Sequence, residues 1–120
     1  MTRLDGLACL VVEDEPLIAI GLCDLIGVLG GTVVASASRL QRGIEKASDL
    51  TIDIAFLDID LGGLNSFPIA AVLRDRGIPF VFTSGHRGEL SAKDHDVPIL
   101  VKPYGRRSLL RAVEQAIVAD

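Results

Sequence analysis

Residues 7–16 read LACLVVEDEP, and this stretch sets the expectation for the whole fold. Its first six residues are all apolar, which is typical of a strand that is covered on both faces, as in a parallel sheet. The strand ends abruptly in three acids, Glu13, Asp14 and Glu15. Pro16 then suits the first turn of a helix, because proline lacks the N–H that has no partner there. The stretch therefore predicts a strand, an acidic loop and a helix, in that order.

The same alternation continues along the chain. Further strands are predicted at residues 32–37, 54–57, 79–82 and 97–101, and further helices at residues 39–47, about 66–76 and across the last fifteen or so residues. Strands that alternate with helices predict parallel βαβ units. We expect the α/β class, specifically a flavodoxin-like doubly wound (βα)5 fold with a five-stranded parallel sheet in the order 2-1-3-4-5. Residues 86–96 are polar and weakly patterned, which predicts a short or mobile fourth helix.

Length and composition narrow the class of protein. The chain has 120 residues, enough for one core, so we expect a single domain over residues 1–120 without an output domain. Hydrophobic residues make up 49% and charged residues 23%, as in ordinary globular domains. The net charge of −4 argues against nucleic acid as a direct partner. A basic patch of Arg106, Arg107 and Arg111 is interpreted as a solvated or protein-docking face.

The sequence also predicts the cellular compartment of the protein. No secretory signal pattern opens the chain, and no apolar run is long enough for a bilayer span. Cys9 and Cys23 lie in apolar runs, so we expect buried free thiols rather than a disulfide. We therefore expect a cytoplasmic protein that makes no membrane contact.

Polar residues recur where the predicted strands end. Glu13 and Asp14 follow the first strand, Asp58 the third, Ser84 the fourth and Lys102 the fifth. A single acid in such a place would most simply cap a helix. In an open parallel sheet, however, ligands bind beyond the carboxyl ends of the strands. Residues spread over four strand ends are therefore expected to converge on one site.

The residue types in this set indicate phosphoryl chemistry. Each pair of carboxylates about 4 Å apart costs about 4 kcal/mol at an effective dielectric near 20, so the cluster must take up protons or bind a cation. Oxygen ligands in small number suit Mg²⁺. Lys102 supplies a positive charge and Ser84 a hydrogen-bond donor. A carboxylate nucleophile with a metal, a lysine and a hydroxyl can position a transferring phosphoryl group.

These residues lie in four short motifs, which are VED at residues 12–14, FLD at 56–58, TSG at 83–85 and KP at 102–103. With these motifs in this order, the chain resembles over its whole length a response-regulator receiver domain of two-component signalling, of the stand-alone type.

The resemblance implies a role for each residue of the site. By that resemblance Asp58 would be the phosphoacceptor. Asp14 would bind Mg²⁺ directly and Glu13 largely through water, with Asp58 and the backbone carbonyl of Asp60 completing the set. Ser84 would be the switch hydroxyl, and the bond from Lys102 to Pro103 is expected to be cis.

The resemblance also implies partners. A histidine kinase or histidine phosphotransfer protein would supply the phosphoryl group, and a downstream protein would bind the changed surface. The face formed by the fifth strand and the last helix is the expected docking surface, for a partner or for a weak dimer of an otherwise monomeric chain. The protein would promote its own phosphorylation and dephosphorylation without being a turnover enzyme.

The chain departs from the family pattern in the part that relays the signal. Ile99 occupies the position, three before Lys102, where the family usually has an aromatic switch residue. His86 takes an aromatic position two residues after Ser84. His86 and the side chain of Asp60 are both expected to alter the lifetime of the phosphorylated form.

Two other functions stay open from the sequence alone. Asp58 and Asp60 form an Asp-x-Asp motif after a strand, which also occurs in haloacid-dehalogenase-type phosphatases, although there it normally follows the first strand. Alternatively, the missing aromatic is compatible with a degenerate receiver that binds partners independently of phosphorylation.

Overall fold

The computed structural model describes residues 4–85 and 97–119. Its elements alternate along the chain as the apolar pattern predicts. In chain order they are β1 (Ala8–Val12), α1 (Pro16–Val28), β2 (Thr32–Ala37), α2 (Leu40–Asp49), β3 (Ile54–Asp58), β4 (Asp60–Leu61), β5 (Leu64–Asn65), α3 (Phe67–Asp75), β6 (Phe80–Ser84), β7 (Ile99–Val101) and α4 (Arg106–Ala119).

The main sheet has the predicted topology. Its strands lie in the order β2-β1-β3-β6-β7, and each neighbouring pair is parallel. This is the order 2-1-3-4-5 once the short β4–β5 hairpin is set aside, so the flavodoxin-like prediction is confirmed. The predicted short or mobile fourth helix falls on residues 86–96, which lie outside the described residues.

Both faces of the sheet are covered, which explains why its strands are continuous apolar runs. Alternate residues of β1 and β3 point to opposite faces, as the two-residue period of a strand requires. Leu10 and Leu57 join one buried cluster with residues of α2 and α3. Cys9 and Phe56 join the other, with residues of α1 and α4. The carboxyl ends of the central strands are thereby held between two packed layers of helices.

One strand boundary and one hairpin differ from the predictions for identifiable reasons. The fifth strand of the main sheet was predicted from residue 97 but begins at Ile99. Pro98 still accepts a hydrogen bond through its carbonyl from the N–H of Phe82 at 3.0 Å, but it has no N–H to continue the ladder. The Gly62-Gly63 turn, with φ values of 63° and 94°, closes an antiparallel hairpin of β4 and β5 that the pattern did not predict.

The two cysteines and the helices bear on the predictions of buried free thiols and of no bilayer span. Cys9 is a buried free thiol, as predicted, whereas Cys23 is free but only half-buried. Burial raises the pKa of the Cys9 thiol to about 11. None of the helices in the described ranges combines the length and apolar character that crossing a bilayer requires.

Candidate functional site

The first acids of the site follow β1 directly. The backbone N–H of Glu13 donates to the carbonyl of Ala37 at the end of β2, at 2.9 Å, so the chain still runs with the sheet at this point. The Glu13 side chain is buried, and its Oε2 accepts the N–H of Glu15 at 3.2 Å. Asp14 is half-buried, and its Oδ2 accepts the N–H of Gly62 at 3.1 Å. Two backbone donors therefore fix the two carboxylates.

Asp58 is the last residue of β3, a strand with partners on both sides. It pairs in register with Thr83 of β6, and the next N–H, that of Ile59, donates to the Thr83 carbonyl at 3.0 Å. Its side chain leaves the residue only 6% exposed, and Oδ1 accepts the N–H of Asp60 over a long 3.4 Å. A carboxylate with so little solvent and so weak a backbone donor depends on its charged neighbours.

Lys102 supplies the positive charge from the far side of the site. Its backbone N–H donates to the carbonyl of Ser84 at 2.8 Å, which fixes the residue just beyond β7. Its Nζ donates to Asp58 Oδ2 at 3.1 Å and lies 2.7 Å from Glu13 Oε1. The side chain is only 15% exposed, so this bridge between two acids is well shielded from solvent.

The protonation states follow from this crowding. Burial, together with the hydrogen bond and negative charge of Glu13, raises the pKa of Asp58 to about 7, although Lys102 acts in the opposite direction. Burial also disfavours ionisation of Glu13, but hydrogen bonds with Asp58 and Lys102 outweigh it and lower the Glu13 pKa. For Lys102, burial acts to lower the pKa, but hydrogen bonds with Glu13 and Asp58 outweigh it and raise the Lys102 pKa. Without a bound cation, Glu13 therefore carries the negative charge and Asp58 ionises only near neutral pH.

The acids are placed so that they could hold a metal ion. Glu13, Asp14 and Asp58 each offer a carboxylate oxygen, and these oxygens lie within 4.8 Å of one another. Hard oxygen donors of this kind suit Mg²⁺, which binds through few carboxylates and keeps several waters. Burial, followed by the nearby Glu13, raises the pKa of Asp58, and one lysine is shared by these two acids. The donor set therefore fits a divalent cation.

The structure brings most of the predicted site residues together. Ser84 is buried at the end of β6, one residue beyond the Thr83 that pairs with Asp58. The predicted cis bond between Lys102 and Pro103 is confirmed. The carboxylate of the exposed Asp60 accepts the N–H of Gly63 at 3.0 Å and so stabilises the hairpin turn, which the sequence did not predict.

One predicted position lies away from this cluster, and another is not among the described residues. Ile99 pairs with Phe82, is half-buried, and packs on the face of the sheet covered by α2 and α3. His86 lies outside the described residues.

Sequence reasoning missed a cavity that adjoins the acids. It has a volume of about 660 Å³ and runs between α1 and the segment after β7. Tyr104, two residues after Lys102, forms part of its wall. An aromatic residue so close to the Lys102-Pro103 pair is a signal in the sequence that could have pointed to it.

Comparison with known proteins gives a consistent result. Residues 9–114 match the response regulator receiver domain profile. The nitrate/nitrite response regulator protein NarL of Escherichia coli K12 is 26% identical over 132 aligned positions, which cover 100% of this chain and 59% of that protein. The positive alginate biosynthesis regulatory protein of Pseudomonas aeruginosa is 34% identical over 114 positions, which cover 89% of this chain and 46% of that protein.

A solved structure agrees over nearly the full length. SdrG from Sphingomonas melonis Fr1 is 34% identical to this chain and superposes on it with a TM-score of 0.83. The match covers 98% of this chain and 98% of SdrG. By contrast, the chain spans only about half the length of the two curated relatives, at 59% and 46%. The likeness to those two proteins therefore concerns only part of each.

Proposed function

Since residues 9–114 match its profile, the chain belongs to the response regulator receiver domain family of two-component signalling, and we propose that it is a phosphorylation switch whose acceptor is Asp58. The observation that carries this proposal is the Lys102 bridge, with Nζ 3.1 Å from Asp58 and 2.7 Å from Glu13. A buried carboxylate beside a lysine and two further acids is suited to receive a phosphoryl group and to hold its charge.

The residues of the chain would share the work of phosphoryl transfer. Glu13, Asp14, Asp58 and the Asp60 carbonyl would hold Mg²⁺, which when bound neutralises the acids and the phosphoryl oxygens. A carboxylate oxygen of Asp58 attacks phosphorus, and the bond to the donor's histidine nitrogen breaks, with its electron pair leaving on the imidazole. Lys102 then turns from the carboxylates to a phosphoryl oxygen, and the Ser84 hydroxyl donates to another.

The switch would act through charge. Phosphorylation adds about −1.5 to −2 units of charge and three acceptor oxygens at Asp58. Movement of Lys102 and Ser84 toward those oxygens alters the ends of β6 and β7, and with them the face that includes α4. Arg106, Arg107 and Arg111 are exposed on α4, so an acidic protein partner or a second copy of the chain is the occupant we propose for that face.

The partners and setting belong to the same proposal. Receiver domains work with kinases and downstream proteins, so a histidine kinase or histidine phosphotransfer protein is the proposed donor, in the cytoplasm. A phosphotransfer profile against the histidine kinases of the host would identify it. The chain is proposed to accept one phosphoryl group, not to turn over substrate.

Incubation with acetyl phosphate and Mg²⁺, followed by intact-mass measurement, tests the proposal. We expect one added phosphoryl group in the wild type, none in Asp58→Asn, and none with EDTA. No addition to the wild type, while a control receiver is labelled, would instead favour the degenerate binding module. Sustained phosphate release from a phosphate monoester would favour the phosphatase.

A further inference from the structure

The cavity beside the acids is larger than the chemistry at Asp58 requires. Its volume of about 660 Å³ lies within the range of small-molecule sites, roughly 300–1,000 Å³. At about 30 Å³ for each water molecule, it has room for roughly twenty waters. A phosphoryl group and a hydrated metal ion at the acid end would occupy only part of that space.

The rest of the cavity extends along α1. Ile18, Gly21, Leu22 and Leu25 of this helix line it, and the segment after β7 faces them through Pro103 and Tyr104. We call this part the α1 trough. At about 1.5 Å of rise for each residue, Ile18 and Leu25 are about 10 Å apart along the helix axis.

The walls of the α1 trough are apolar, in contrast to the acid end of the cavity. Asp24 is the one charged residue between Pro16 and Val28, and it does not line the cavity. Burial raises the pKa of Tyr104 to about 12, so its ring carries no charge at neutral pH. At Gly21 a Cβ would meet nothing within 4 Å, so the helix backbone itself borders open space there. The trough is therefore suited to a flat or branched apolar group.

The geometry of phosphoryl transfer relates this trough to Asp58. Attacking and leaving oxygens lie roughly in line across the phosphorus atom. A leaving group must therefore project from the acid end, away from Asp58, and the open space that adjoins Asp58 in the same cavity is the α1 trough. Water would be expelled from apolar walls when an apolar leaving group fills it.

We propose that the α1 trough binds the leaving group of a small-molecule phosphodonor and selects acyl phosphates whose acyl group is bulky and apolar, such as benzoyl phosphate. The inference rests on the proposed function, since it needs Asp58 as acceptor. In the reaction, an Asp58 carboxylate oxygen forms a bond to phosphorus while the bond from phosphorus to the acyl oxygen breaks. Benzoate leaves with the electron pair, and no proton, oxidant or reductant is required.

The test compares initial rates of Asp58 phosphorylation by benzoyl phosphate and by acetyl phosphate, each at the same low concentration. In the wild type we expect benzoyl phosphate to be faster by roughly 10-fold or more, as for a well-filled apolar pocket. Gly21→Leu fills the trough and should reduce the ratio of the two rates to about one or two. Gly27→Leu is the matched control, because Gly27 lies on the same helix, has open space around it and does not line the cavity.

The ratio of the two phosphorylation rates removes any effect that changes both rates equally, so it reports on the trough. Benzoate is a slightly better leaving group than acetate, but that advantage is the same in all three proteins. As a second measurement, benzoate added to the wild type should shift the methyl NMR signals of Ile18 and Leu25, and acetate should not.

The outcomes separate this inference from the proposed function. Labelling by acetyl phosphate without a benzoyl preference would overturn the trough and leave the switch intact. A preference that persists in Gly21→Leu would also overturn it. If neither donor labels Asp58, the proposed function fails and the inference fails with it.

Discussion

The two sides of the proposed phosphorylation site are built differently. The acid side consists of Glu13, Asp14 and Asp58, at the ends of β1 and β3, and each of these strands has a neighbour on both sides. The lysine side consists of β7, Lys102 and the start of α4. It lies at the edge of the described sheet, where β7 pairs with β6 alone and Val101 is 42% exposed.

This difference suggests a division of labour. Every residue of β3 is buried, so the position of Asp58 is fixed by packing on both faces of the sheet. The three-residue β7 has one buried residue, Leu100, so less packing opposes movement there. The proposed function requires a site that holds a metal rigidly and also transmits a change of charge, and such a site benefits from one fixed side and one adaptable side.

The largest expected effect separates the two sides by their chemistry. Asp14→Asn and Lys102→Met should each slow phosphorylation by acetyl phosphate by roughly 100-fold. The first removes a carboxylate proposed to hold the metal, and the second removes the positive charge proposed to pair with the phosphoryl group. Only Asp14→Asn should weaken Mg²⁺ binding, measured by calorimetry. Lys102→Met should keep or strengthen it, since Lys102 competes for Glu13 and Asp58. Weaker Mg²⁺ binding in Lys102→Met would contradict a division between metal-binding and phosphoryl-binding sides.

A smaller effect concerns the free-energy cost of ionising Asp58 within the acid side. The pKa of Asp58 is about 7 in the folded protein against an ordinary 3.8, so between about pH 4 and pH 7 the folded state binds more protons than the unfolded state. The free energy of unfolding should therefore fall as pH rises through this window. With EDTA present, we expect Asp58→Asn to be more stable than the wild type by about 1 to 3 kcal/mol at pH 8.

Urea unfolding of both proteins at pH 5 and pH 8 measures this effect. The advantage of Asp58→Asn should shrink at pH 5, where most Asp58 side chains are protonated in the folded wild type. An advantage of equal size at both pH values would show that it does not arise from the charge of Asp58.

The acid side could largely be predicted from the sequence, for a physical reason. Buried parallel strands appear as apolar runs, and the residue that follows each run lies at the same edge of the sheet. Glu13, Asp14, Asp58 and Lys102 were therefore predicted to meet, and they do.

Other features of the site could not be predicted, because no pattern of residues in the sequence marks them. The N–H of Gly62 holds Asp14 across 48 positions of sequence, and a backbone donor is the same whatever the residue. Strands of two residues, such as β4 and β5, are too short for a two-residue period to appear. The α1 trough depends on the distance between α1 and Tyr104, which no local pattern encodes. The effects of His86 and Asp60 on phosphoryl lifetime stay predictions.

The smallest expected effect tests how tightly the acid side is packed beneath its carboxylates. Gly43 of α2 faces Ile69 of α3 and Val12, the last residue of β1. A Cβ at Gly43 would clash with Ile69 Cδ1 and lie 3.4 Å from Val12 Cγ1. Gly43→Ala should therefore lose about 1 kcal/mol of stability, because overpacking costs about 1–3 kcal/mol and better helix propensity returns about 1 kcal/mol.

Two further variants make this measurement specific. Gly27→Ala, on an open part of α1, should gain about 0.5–1 kcal/mol from propensity alone. In the Gly43→Ala background, Ile69→Val removes the Cδ1 atom that clashes, so it should cost less than the about 0.5–1.5 kcal/mol usual for this substitution, and could raise stability. Denaturant unfolding of the wild type, Gly43→Ala, Ile69→Val and the double variant gives the coupling between the two sites. If the two substitutions were simply additive, the space around Gly43 would be able to yield, and the packing beneath the acid side would not be rigid.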